Sequence, residues 1–186
     1  MRRIPGLSSG NTWEVPESLN MAAQCLSGAA DKVAIVDLTG PARRDVTFAE
    51  LNALTDEIAR GLLHRVAPGD RIGVLLSQSI WCAAAHLAIW KIGAVSVPLF
   101  KLFKQDALRS RVTDSGAELV LTDAAGASLV GDLADPLLIQ DIGEPGDPVP
   151  FADTAADDPA VLIYTSGTTG TPKGALHGHR VLTGHL

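Results

Sequence analysis

Between residues 164 and 174 the chain reads Tyr-Thr-Ser-Gly-Thr-Thr-Gly-Thr-Pro-Lys-Gly, a row of hydroxyls broken by glycines and closed by a lysine. Gly167 and Gly170 let the backbone turn tightly and bring its N–H groups up to an anion. Thr165, Ser166, Thr168, Thr169 and Thr171 add hydroxyl donors, Pro172 stiffens the exit and Lys173 supplies a mobile positive charge. Coming directly after the apolar run Val161–Tyr164, this composition fits a cradle for a polyphosphate.

The local charge sharpens that reading. From Val112 to Pro172 there is no Lys or Arg, while the same stretch holds eleven acids, so Lys173 is the first cation after a long gap. Two familiar phosphate loops fail on spacing. A P-loop needs lysine directly after its last glycine, followed by Ser or Thr, whereas Thr171 and Pro172 separate Gly170 from Lys173 and Gly174 follows. No G-x-G-x-x-G occurs in the loop either. A flexible Gly/Thr linker with a solvated lysine accounts for fewer of these features.

Other residues that invite chemistry carry less. His177, His179 and His185 have no Cys or acid to complete a metal set, and His177 and His179 diverge if they lie on a helix. Asp157-Asp158-Pro159 reads as the polar start of a strand, since Pro159 cannot donate to a ladder. Lys101, Lys104, Arg109 and Arg111 read as a solvated helix face, and the helix bearing Trp81 and Trp90 as core.

The elements that must position the loop follow from periodicity. Asp31–Asp37 is a short strand candidate rich in β-branched residues. Thr47, with Glu50 three residues on, forms a capping box for a helix to about His64, with Leu51, Leu54, Ile58 and Leu62 at helical spacing. Strands are expected over 71–76, 94–98 and 118–122, and helices over 80–92 and 104–114. This alternation is the mark of βαβ units, so the fold class is α/β with a mostly parallel sheet. Residues 123–160, with Pro136, Pro145, Pro148, Pro150 and Pro159, read as looser, and residues 1–20 as an irregular lead-in to one domain over 21–186. A helix beginning near Gly178 would be cut short at Leu186, which reads as an incomplete, C-terminally truncated domain.

Bulk properties bound the function. With 46% hydrophobic and 19% charged residues and a mean hydropathy of +0.20, the composition is globular. A net charge of −6 argues against a nucleic-acid partner. The apolar run from Ile80 to Trp90 is too short to span a bilayer. Cys25 and Cys82, far apart and in no cluster, fit a reducing, cytoplasmic setting.

The run Ala160–Gly174 resembles the signature of the adenylate-forming superfamily, which includes acyl-CoA synthetases, peptide-synthetase adenylation domains and luciferases. Val46–Leu51, Gly69–Val74 and Lys91–Pro98 resemble further segments of it. Trp13–Asn20, Pro98–Phe103 and Gly174–Leu182 are similar to the acetyl- and medium-chain acyl-CoA synthetase branch. The resemblance implies a ligase that joins a carboxylic acid to AMP from ATP and then to the thiol of coenzyme A, with Mg²⁺ bridging phosphate oxygens. It places Thr165, Ser166, Gly167, Thr168, Thr169, Gly170, Thr171 and Lys173 on the nucleotide phosphates, with Lys173 the catalytic cation. His179 coincides with a histidine common after this loop in relatives. The glutamate that holds Mg²⁺, the ribose-binding aspartate and the C-terminal lysine lie downstream in relatives, so the chain alone is expected to be inactive. Two alternatives stand beside the acyl-CoA reading: a stand-alone nucleotide-binding or regulatory module, and a domain that serves a carrier-protein thiol.

Overall fold

The computed structural model describes residues 2–5 and 12–184, apart from 144 and 166–171. Its centre is a six-stranded sheet. In chain order the strands are β1 (Arg2–Pro5), β2 (Thr12–Val15), β3 (Val33–Asp37), β4 (Arg44–Thr47), β5 (Arg71–Leu75), β6 (Val95–Pro98), β7 (Leu119–Thr122), β8 (Asp135–Leu138), β9 (Pro159–Thr165) and β10 (Lys173–Gly178). The helices are α1 (Met21–Cys25), α2 (Phe48–Leu62), α3 (Ile80–Lys91), α4 (Gln105–Ser115) and α5 (Ala124–Val130). The main sheet runs β10-β9-β6-β5-β7-β8. Every neighbour pair in it is parallel except β9 with β10. The α/β class and the mostly parallel sheet are as the alternation of elements predicts.

Side-chain alternation splits the strands between two cores. Ile72 and Val74 of β5 join Leu119 and Leu121 of β7 against α2 and α3, through Ile58, Leu62, Ala85 and Ile89. Their neighbours Leu75 and Val120 face the other way, with Val95 and Val97 of β6 and Leu162 of β9, against Leu108 and Val112 of α4 and Val130 of α5. Gly73 sits where a Cβ would come within 2.9 Å of Val120, so that layer closes only without a side chain there. The predicted capping box is formed: the Glu50 N–H donates to Thr47 Oγ1 at 3.2 Å, and the Thr47 N–H to Glu50 Oε2 at 2.8 Å.

Three expectations are corrected. Residues 123–160 are not uniformly loose, for they hold α5, capped by Asp123 accepting the Gly126 N–H at 2.9 Å, and the strand β8. β8 accommodates Pro136 because, among the described residues, it pairs on one side only, with β7, at the edge of the sheet. The described part of the lead-in forms strands as well: β1 pairs antiparallel with β2. The Leu19 N–H then donates to the Thr154 carbonyl at 2.8 Å, and Asn20 Nδ2 donates to the carbonyls of Trp90 and Ala152. Finally, residues 173–178 form strand β10, followed by 3₁₀ turns over His179–Gly184, where a helix was expected from Gly178. A partner strand, β9, settles the conformation of this Gly-flanked segment.

A buried ion pair ties the chain's return path to the helices. Lys91 Nζ bonds Asp56 Oδ1, which also accepts the Val149 N–H at 3.0 Å. The Ala152 N–H donates to the Lys91 carbonyl at 2.7 Å, so residues 149–152 are held on α2 and α3 before β9 begins.

Candidate functional site

β9 and β10 form an antiparallel hairpin whose last pair is Thr165 with Lys173. The Gly/Thr segment therefore joins two strand ends held side by side. The structure brings Thr165 and Lys173 together, and both are exposed. Ser166, Gly167, Thr168, Thr169, Gly170 and Thr171 lie outside the described residues, as does His185. Directly opposed residues of an antiparallel pair share a face. Thr165 and Lys173 thus lie on the face of Ile163 and Ala175, while Tyr164, Gly174, Leu162 and Leu176 lie on the other.

The hairpin also points the right way. β9 runs parallel to β6, with Val161 beside Ser96, so its tip leaves the sheet at the carboxyl ends of the parallel strands. That edge is where open α/β sheets take their ligands. The strand order changes direction there too, since β6 lies to one side of β5 and β7 to the other.

Tyr164 anchors the base of the hairpin. Its hydroxyl donates to Asp114 Oδ2 of α4 at 2.6 Å. Burial, and then the bond to that carboxylate, push the phenol well above its usual range. The Arg111 guanidinium stacks on Phe103 at 4.0 Å and lies 5.9 Å from the Tyr164 ring. Opposite Tyr164, Gly174 leaves room for the ring, for a Cβ there would meet Leu162 at 3.0 Å and Tyr164 Cζ at 3.3 Å.

His179 is fully buried, and its Nδ1 accepts the N–H of Met21, the first residue of α1, at 3.0 Å. That bond assigns the remaining ring proton to Nε2, which has no partner among the described residues. Burial pushes its pKa down, against the opposing pull of Asp158. His177 lies on β10 and His179 at the start of the 3₁₀ turns, so the two share no helix. Among the described residues no three His, Cys, Asp or Glu side chains are grouped to hold a metal ion. None of them offers a set that fits Mg²⁺.

The basic cluster is only partly a solvated face. Lys104 and Arg109 are exposed, but Lys101 pairs with Asp123, and Arg111 stacks on Phe103 with its Nη1 donating to the Ala107 carbonyl. Trp90 Nε1 donates to Ser96 Oγ at 2.9 Å, as a helix packed on the sheet requires, whereas Trp81 stays 40% exposed. Pro159 opens β9, as expected of a residue without an N–H. No local pattern signals the Tyr164–Asp114 contact, which joins residues 50 apart through tertiary packing.

The sheet is doubly wound, and the glycine- and hydroxyl-rich segment joins two of its strands at the carboxyl edge, where open α/β sheets take their ligands. Residues 22–185 match the AMP-binding enzyme family, and the chain belongs to that family. Over 160 residues it is 39% identical to a probable non-canonical nonribosomal peptide synthetase, CymA, of Salinispora arenicola, covering 80% of this chain and 2% of that protein. MatB from Rhodopseudomonas palustris, solved with ATP bound, has a similar structure, with a TM-score of 0.76 and 25% identity over 89% of this chain and 36% of that one. The O-succinylbenzoate coenzyme A synthetase MenE of Bacillus subtilis, solved with AMP, gives a TM-score of 0.74 and 26% identity over 86% of this chain and 42% of that one. The chain thus spans a small part of the peptide synthetase and less than half of each of these two solved chains. The resemblance to the wider superfamily stands; the narrower acyl-CoA synthetase branch is not supported, since peptide synthetases match this chain at higher identity than the coenzyme A synthetase does.

No described helix is long and apolar enough to cross a membrane.

Proposed function

We propose that the chain supplies the phosphate grip of an ATP-dependent carboxylate-activating ligase. In such a reaction a carboxylate oxygen attacks the α-phosphorus of ATP, the bond to the bridging oxygen breaks, and pyrophosphate leaves as the acyl-adenylate forms. Thr165, Ser166, Gly167, Thr168, Thr169, Gly170 and Thr171 would hold the β- and γ-phosphates through hydroxyl and N–H donors. Lys173 would sit against the charge that grows on the departing pyrophosphate. The observation that supports this reading is the pairing of Lys173 with Thr165 at the exposed carboxyl edge of the sheet. Mg²⁺, which supplies charge neutralisation on phosphates when bound, would need ligands beyond the described residues.

The acyl acceptor in this reading is a carrier-protein thiol, as the likeness to a peptide synthetase favours. Coenzyme A is the second reading, resting on the likeness to MenE and on the segments Trp13–Asn20 and Pro98–Phe103. The acceptor thiol attacks the acyl carbon in both cases and AMP leaves. In any polypeptide that carries this segment and catalyses carboxylate-dependent ATP–pyrophosphate exchange, Lys173→Ala should slow exchange about a hundredfold, the usual effect of removing one positioned charge-stabilising group. An unchanged rate would count against the role of Lys173. Offering coenzyme A and a carrier protein in turn as acceptors decides between the two thiols.

A further inference from the structure

Tyr164 stands next to the Gly/Thr segment, yet its side chain cannot join Thr165 and Lys173, because it lies on the opposite face of the hairpin. Its hydroxyl instead crosses to α4 and bonds Asp114 at 2.6 Å. The ring lies against Gly174, the residue directly after Lys173, where any Cβ would stand 3.3 Å from it. On α4, one turn before Asp114, Arg111 holds its guanidinium over Phe103 and 5.9 Å from the same ring. One strand of the hairpin is thus clamped to a helix, and the other strand is packed under the clamp.

We infer that Tyr164 and Asp114 are positioning residues: they fix the β9–β10 hairpin on α4 and so set where Lys173 stands opposite Thr165. The inference rests on the reading of Lys173 as a phosphate cation. Neither side chain touches the nucleotide in this account. What they control is the height of Lys173 above the sheet edge, because among the described residues β10 pairs in the sheet only with β9, and its other anchor, His179 bonded to α1, lies at the far end of the strand. A hydrogen bond from a neutral donor to a carboxylate is among the stronger single contacts available for this purpose. Gly174 takes part passively: a side chain there would push either the ring or β10 away.

The test uses the 186-residue chain with Tyr164→Phe, Asp114→Ala and the double variant, read in two ways. Titration with ATP, inorganic tripolyphosphate and AMP gives affinities. Amide hydrogen exchange gives the order of β10. Each single variant should weaken ATP and tripolyphosphate about tenfold, the factor that goes with losing a hydrogen bond to a charged acceptor, and leave AMP within about twofold. The double variant should be no worse than the worse single one, because both remove the same bond. Exchange should quicken at the amides of residues 173–176 and remain unchanged in β5 and β7. Equal weakening of all three ligands, or faster exchange spread over the whole sheet, would mean a general structural role and overturn the inference. Failure of the unaltered chain to bind tripolyphosphate would instead refute the phosphate-grip reading. The exchange data then decide the positioning claim by themselves, and unchanged exchange at 173–176 would overturn it.

Discussion

Replacing Lys91 with methionine should unfold the chain far more easily than its place on a helix would suggest. The Lys91 side chain is 3% exposed and that of its partner Asp56 13%, so the change strands a carboxylate in the core. Breaking a buried pair from one side costs about 3–5 kcal/mol. The cation also lies 4.3 Å from the Phe151 ring centroid, and losing that contact adds roughly 0.5–1 kcal/mol. The Val149 N–H still bonds Asp56 and offsets about 1 kcal/mol of the damage. A net loss of about 2.5–5 kcal/mol remains, which corresponds to roughly 5–20 °C in the unfolding midpoint for a domain of this size. Urea and thermal unfolding followed by circular dichroism would measure it. The double variant Asp56→Leu/Lys91→Met removes the stranded charge and leaves only the Val149 N–H without its acceptor. It should therefore be more stable than Lys91→Met alone. A single-variant loss below about 1 kcal/mol, or a double variant less stable than the single, would refute the view that this pair clamps residues 149–152 onto α2 and α3.

Two further outcomes are expected. Burial pushes the pKa of His86 down to about 4, and its Nδ1 has no partner among the described residues, so the folded ring stays neutral where the unfolded chain takes up a proton. Its contribution is fully present above about pH 6.5 and is lost as the pH falls toward 4, by at most about 3 kcal/mol, with His179 shifted in the same direction. His86→Phe should flatten the fall in urea midpoint between about pH 7 and about pH 5; an unchanged slope would contradict this. Thr47→Ala removes one side of the capping box and should cost about 1 kcal/mol in the same urea assay, with a loss under a few tenths counting against a working cap.

Much of the fold is legible in the pattern of residue types, and the reason is physical. β5, β6 and β7 are buried on both faces, so they appear as apolar runs, and the helices between them have room for three turns or more. The Thr47–Glu50 spacing marks the start of α2 because both of its hydrogen bonds are local. The features that escape such reading depend on distant partners. β10, with the sequence Lys-Gly-Ala-Leu-His-Gly, has little tendency to extend and does so because β9 offers it a ladder. α5 is seven residues long and shows no helical periodicity, and β8 contains a proline tolerated only at an edge. The bonds from residues 19–20 to 152–154 bridge more than 130 positions.

The candidate site divides in the same way. Thr165 and Lys173 stand out by motif, and the structure pairs them. The Tyr164–Asp114 contact and the burial of His179 beneath α1 arise only when α4 and the 3₁₀ turns pack. His179 accepts the Met21 N–H and joins the end of β10 to α1, a contact between residues distant in the chain.

The most direct test of the phosphate grip is a titration of the isotope-labelled chain with inorganic tripolyphosphate, followed by amide chemical shifts. The account predicts saturable shifts centred on residues 165–174, reduced strongly by Lys173→Ala. Shifts that never saturate, or that gather at Arg60, His64 and Arg65 around the C-terminal end of α2, would contradict it.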